Sequence, residues 1–241
     1  MIYTFVRQCN YSANSVNKER PSWYSKERIW QNLLKTSPQM SNDITIIFDG
    51  TPNSNHFLFN YKGKMICKQG GNDAASFRNT LDYVMSLNLK DEDIVYFLED
   101  DYLHLPTWTV VLEEAFKYTN ADYVTLYDHP DKYFYTDLVP DFGYEKLKST
   151  VFVTPHSHWR TVPSTTNTYA SKFSTLKKHI YTHYKWCDPR NSPITLDHLK
   201  FLDLGNQGAT LISSIPGWSA HIVTNYMSPL IDWEKVQKQT T

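Results

Sequence analysis

Ile94-Val95-Tyr96-Phe97-Leu98-Glu99-Asp100-Asp101-Tyr102 is the stretch on which the reading of this chain turns. Five consecutive apolar residues describe a strand buried on both faces, as in a parallel sheet flanked by helices. Three acids follow without a spacer, and adjacent carboxylates repel one another unless a cation stands near. On an extended backbone Glu99 and Asp101 point one way and Asp100 the other. An acid-x-acid pair can therefore address one ion while the middle residue faces elsewhere. A solvated acidic turn is the alternative, but the preceding strand weighs against it because it fixes where the acids point.

Outward from this stretch, short apolar strands alternate with amphipathic helices. Residues 2–7 and Ile44-Thr45-Ile46-Ile47-Phe48 read as strands, the second closed by Asp49-Gly50. Ile29, Trp30, Leu33 and Leu34 have helical spacing, and so do Phe77, Leu81, Val84, Met85 and Leu87. Residues 58–67 read as a strand pair or one irregular strand. Pro106 opens a helix that turns Trp108, Val111, Leu112, Ala115 and Phe116 inward, and Tyr123–Tyr127 is strand again. This order predicts an α/β sandwich around a mostly parallel sheet. Such sheets seat ligands beyond the carboxyl ends of their strands, where Asp49, the acidic triplet and Asp128 all fall.

The second half is less regular. Residues 128–168 are rich in Tyr, His, Pro and Asp, with one strand at Val151-Phe152-Val153; helices are expected near 169–187 and 194–204, then an apolar run Ala209–Ile215. With 241 residues and no visible linker or repeat, the chain reads as one domain, divided into a ligand-binding half (1–127) and a half (128–241) that carries a variable, substrate-facing region.

Composition sets outer limits. A formal charge of -1 leaves no basic footprint for nucleic acid. Cys9, Cys67 and Cys187 are widely spaced and odd in number, so no disulfide framework is expected. No secretory leader and no apolar run of about 20 residues is seen, so a soluble, cytoplasmic protein is expected, with peripheral membrane contact still open. GxGxxG, GxxxxGK[ST] and GxSxG are missing, which removes support for dinucleotide oxidoreductases, P-loop NTPases and α/β-hydrolases. His179, His183 and Cys187 share one helical face, yet a structural role outweighs zinc there because the general-base Glu of a zincin is missing. The 17 Tyr, 12 Phe and 7 Trp suit a sugar- or base-binding cleft as well as a crowded core.

Phe97-Leu98-Glu99-Asp100-Asp101-Tyr102, followed by Pro106 and its helix, resembles the DXD-type motif of GT-A glycosyltransferases, closest in layout to family 2-like members, with Glu in place of the first Asp. Three further segments are similar in the expected order. Ile44–Phe48 with Asp49-Gly50-Thr51 resembles the strand that receives the nucleotide base. Gly70–Asn79 resembles a helix start beside the donor pocket, in shifted register. Ser214–His221 resembles segments whose His supplies a metal ligand.

The resemblance implies a Rossmann-like GT-A sandwich and a metal-dependent transfer of a sugar from a UDP- or GDP-linked donor to a glycan or other hydroxyl acceptor. In that reading Glu99, Asp101 and His221 hold Mn²⁺ or Mg²⁺, while Arg7, Asp49, Arg78 and Asp100 contact the donor. Inverting members need a carboxylate base; Asp197, opening a helix after an aromatic stretch, is the candidate, with Asp203 and Asp188 as rivals. Tyr133, Tyr135, His158, Trp159 and Trp218 are acceptor-site candidates because aromatic rings stack on sugar faces. The half spanning 128–241 is thus expected to bind the acceptor and hold the catalytic base. Two other classes stay in play: a sugar-nucleotide nucleotidyltransferase, although Gln8–Ser15 lacks the usual glycine-rich phosphate loop, and a non-catalytic carbohydrate-binding module.

Overall fold

The near-continuous apolar runs of the early strands dictate a sheet covered on both faces. In a computed structural model of the chain, which describes residues 1–37, 42–133 and 148–241, β1 (Ile2–Cys9), β2 (Asn42–Asp49) and β4 (Ile94–Leu98) run parallel. Ile2, Val6, Ile46, Phe48, Tyr96 and Leu98 pack on one face, whereas Phe5, Ile47, Val95 and Phe97 pack on the other. This is the period of two that a strand imposes.

The remaining elements, in chain order, are the short α1 (Ala13–Val16), α2 (Lys26–Thr36), β3 (Met65–Lys68), α3 (Asp73–Met85), β5 (Tyr102–His104), α4 (Trp108–Tyr118), β6 (Tyr123–Thr125), a 3-10 turn at Pro130–Lys132, β7 (Val151–Val153), β8 (His158–Thr161), β9 (Tyr169–Lys172), α5 (Phe173–Trp186), α6 (Asp197–Asn206), β10 (Leu211–Ile215), β11 (Ser219–His221) and α7 (Trp233–Thr240). Among the described residues nine strands form one sheet in the order β3-β2-β1-β4-β9-β6-β10-β8-β7. Only β9 and β8 run against the rest. Trp30 and Leu33 of α2 and Val111 to Phe116 of α4 cover one face; Phe77, Leu81 and Val84 of α3, Leu176 of α5 and Phe201 of α6 cover the other. The protein is thus a single mixed α/β domain with a large, mostly parallel, Rossmann-like central sheet.

Three expectations need correction. Tyr169–Lys172 is strand rather than helix: its residues pair antiparallel with both β4 and β6, and helix begins only at Phe173. Within 58–67 the only strand residues are the first three of β3. The late helix starts at Asp197, not at 194. Among the described residues no helix is long and apolar enough to cross a membrane.

Candidate functional site

The carboxyl ends of β1, β2 and β4 open into a cavity of about 910 Å³. Six of the residues singled out from sequence line it: Arg7, Asp49, Glu99, Asp100, Asp101 and Asp197. Local folding explains each placement. Asp49 ends β2 and accepts hydrogen bonds from the amides of Gly70 (2.7 Å) and Gly71 (3.1 Å). A Cβ on Gly70 would stand 3.0 Å from the Asp49 carboxylate and 2.8 Å from the Ser76 nitrogen, so this turn excludes a side chain. Asn72 then caps α3 through the Ala75 amide.

Arg7, near the end of β1, spans two elements. One guanidinium nitrogen meets Asp73 Oδ1 at 2.7 Å and the other meets Glu99 Oε1 at 2.9 Å. Asp73 in turn accepts from the Thr195 amide at 2.8 Å, which draws the 193–197 segment to the rim.

Every acid of the triplet is paired with a cation from far away in sequence. Asp100 accepts from Lys26 Nζ at 2.5 Å. Asp101 Oδ2 accepts from Lys18 Nζ (3.1 Å) and Arg20 Nη2 (2.8 Å) and lies 3.0 Å from His221 Nε2. His221 reaches this position because β11 pairs antiparallel with β5, opposite Tyr102, and its ring stacks on the Tyr102 ring with centroids 4.9 Å apart. Burial works against the charge of Asp101, but His221, Lys18 and Arg20 outweigh it and hold the carboxyl well below the ordinary carboxylate range. Glu99 behaves oppositely. Burial, only partly offset by Arg7 and reinforced by Asp101, pushes its carboxyl up to about 7.

Among the described residues no three His, Cys, Asp or Glu side chains converge as a ready metal-ligand set. One oxygen does fit a hard cation: Asp101 Oδ1 is buried and has no hydrogen-bond partner.

Asp197 stands at the first turn of α6, with Oδ1 accepting from the His198 amide at 2.8 Å. Burial raises its pKa, with Lys200 opposing. Its rivals are engaged away from the cavity: Asp188 is chelated by Arg190, and Asp203 holds Lys185, Trp186 and Gln207.

Other expected residues lie elsewhere. Arg78 stacks over the Tyr184 ring at 4.9 Å and does not line the cavity, because the helical turn that brings Asp73 to the rim carries Arg78 towards α5. Trp159 is fully buried in the apolar cluster under α4, with Nε1 on Thr154 Oγ1, so no sugar can stack on it; this corrects the acceptor expectation. Tyr133 donates to Asp128 and lies under Arg160, Trp218 is half-buried with Nε1 on Ser157 Oγ, and His158 is exposed on β8; none lines the cavity. Tyr135 lies outside the described residues. His179 and His183 hydrogen-bond Tyr123 at 2.9 and 3.0 Å, a buried structural network.

Sequence reasoning missed Lys18, Arg20, Lys26, Asp73 and Asn167. The signal for the first three was the triplet itself, whose repulsion demands cations; the chain's own basic residues at 18–26 are one answer.

No protein-family model and no curated protein sequence matches the chain. Among solved structures, the chain is similar to CMP:2-keto-3-deoxy-manno-octonic acid synthetase complexed with CTP, at 13% identity over 99% of this chain and 97% of that one, with a TM-score of 0.52. It also aligns with residues 1–349 of S. aureus TarS at 10% identity, over 88% of this chain and 58% of that one, with a TM-score of 0.48. At such identity the first likeness speaks to architecture, and it agrees with the sheet described above: the chain has a Rossmann-like α/β fold.

Proposed function

We propose that the protein is a nucleotide-sugar-dependent glycosyltransferase with an inverting mechanism. The observation that carries this reading is the sharing of one cavity by the Glu99-Asp100-Asp101 edge and by Asp197 at the start of α6. The first is a charge-dense seat for a cation and a diphosphate. The second is a half-buried carboxyl whose pKa burial raises, which suits a proton acceptor. A divalent cation, Mn²⁺ or Mg²⁺, would be held by Asp101 with Glu99, and would neutralise charge on the departing diphosphate. Lys18, at the cavity wall, is placed to do the same for an outer phosphate oxygen. Arg7 keeps Glu99 and the α3 start in register. The acceptor hydroxyl gives its proton to Asp197 as its oxygen bonds the sugar, and the bond to the diphosphate breaks with its electron pair on the leaving oxygen. The acceptor is a glycan or another hydroxyl-bearing molecule.

A second reading, nucleotidyl transfer, is favoured by the end-to-end likeness to a synthetase solved with CTP. Product analysis separates the two. Glycosyl transfer releases nucleoside diphosphate from a sugar conjugate, whereas nucleotidyl transfer releases pyrophosphate from a nucleoside triphosphate and a free sugar. Calorimetric titration with UDP, GDP, CDP and their sugar conjugates, with and without Mn²⁺, comes first, and no binding to any would end the glycosyl-transfer reading; the same titration with CTP and UTP, if also negative, would end the second. Asp197→Asn should keep donor binding and lose about 10²–10⁴-fold in turnover. An unchanged rate would remove Asp197 as the base.

A further inference from the structure

Lys200 touches none of the reacting groups above, although its charge opposes the rise in the Asp197 pKa, and it is completely buried. Its ammonium sits over the rings of Phe77, Tyr169 and Phe201 at 4.7, 4.6 and 5.0 Å. Aromatic faces offset part of the cost of burying that charge, but not its need for a hydrogen-bond acceptor. The acceptor is Asn167 Oδ1, at 2.6 Å.

This contact fixes the amide. A lysine ammonium only donates, so the Asn167 oxygen must face Lys200 and its NH₂ must face the other way. Asn167 is 3% exposed, and what exposure it has is towards the cavity that it lines with Glu99 and Asp197. The backbone there is held in place, since the next residue, Thr168, accepts the Glu99 amide on its hydroxyl at 3.2 Å. Nδ2 meets no acceptor among the described residues. A nearly buried donor aimed into a ligand cavity, and locked there by a buried cation, is a recognition group awaiting an oxygen. The cation also draws electron density from the amide, which strengthens its N–H groups as donors.

We propose that Asn167 Nδ2 is a specificity-determining donor to a ring hydroxyl oxygen of the transferred sugar, with Lys200 as its positioning residue. Its place between the triplet and Asp197 sets it on the sugar side of the cavity, away from the Asp49 end. The inference rests on the glycosyl-donor reading, because it requires a sugar at that position.

The test compares each free diphosphate with its conjugate: UDP with UDP-glucose, and GDP with GDP-mannose, by calorimetry. Asn167→Asp keeps the side-chain shape and gives Lys200 a carboxylate partner, while removing the donor. Its added charge weakens diphosphate and conjugate together, so the readout is the ratio of their affinities. That ratio should fall by about tenfold or more. Lys200→Met should lower the same ratio by up to about tenfold while leaving the thermal midpoint unchanged or higher, since an apolar side chain suits the ring cage; a purely structural lysine would show the reverse pattern. An unchanged ratio in Asn167→Asp overturns the inference even if Lys200→Met fails to fold. Wild type that binds no conjugate overturns the donor reading itself, a separate outcome, and the inference with it.

Discussion

Asp101 follows β4 and Asp128 follows β6, two parallel strands separated only by β9, and the two residues are 3% and 0% exposed. The sheet gives both the same address, yet their surroundings differ in kind. Asp128 is closed: Oδ1 takes Arg160 at 2.6 Å, Oδ2 takes the Tyr133 hydroxyl, and its amide donates to Ser228. Asp101 is crowded on one oxygen by Lys18, Arg20 and His221, and has nothing on the other. A strand end therefore offers a position, and the segment folded over it decides whether the carboxylate there is closed off or keeps an unpartnered oxygen. At Asp128 one arginine from β8 of the same sheet completes the pairing. At Asp101 the partners come from residues 18–20 and 221, and they leave an oxygen over.

The contrast can be broken most forcefully at the closed end. Arg160→Met strands a buried carboxylate and should cost about 3–5 kcal/mol in chemical denaturation. The carboxyl of Asp128 is already pushed up by burial to about 6, with Arg160 opposing, so this loss should be greatest above pH 6.

A smaller effect is expected at the open end, in the pH profile. Glu99 binds its proton more tightly in the folded chain than its ordinary value of 4.5 would allow. Its contribution to stability is therefore full below pH 4.5 and is lost as pH rises through about 7. Asp101 has the opposite sign: its contribution is present above 3.8 and is lost as pH falls below that. Glu99→Gln should flatten the decline in thermal midpoint between pH 5 and 8, and a decline as steep as that of wild type would dismiss the raised carboxyl.

The smallest effect concerns the cations. Lys18 is about a third exposed, so its pair with Asp101 is worth little, about 1 kcal/mol or less. Lys18→Ala should tighten Mn²⁺ binding, followed directly by titration without nucleotide, by no more than about fivefold. Weaker binding would mean that Lys18 supports the cation seat and does not compete for it.

Much of this architecture was legible in the sequence where local pattern and burial agree. Ile94–Leu98 could only be an interior strand, and Trp108, Val111, Leu112, Ala115 and Phe116 do all face inward from α4. The acids at strand ends were legible for the same reason. β9 was not: Tyr169–Lys172 runs into α5 with no glycine or proline between them, and its strand character comes from β4 and β6, distant partners that no local window contains. Trp159 was misread because a ring near histidines and arginines looks like a surface feature until β8 turns it under α4. Lys18, Arg20 and Lys26 were invisible as partners because ion pairs across 74 to 83 residues leave no periodic trace.

The reversed direction of β9 carries one more consequence. A strand that runs with its neighbours delivers to the ligand edge the residues that follow it, and these are tied to the helix beyond. β9 runs the other way, so it delivers the residues that precede it, Asn167 and Thr168. The loop supplying them comes from β8, three positions away in the sheet order, and Thr168 ties its end to β4 through the Glu99 amide. The side chain offered at Asn167 is therefore set by a segment separate in sequence from the one that carries the acids, although both line the same cavity.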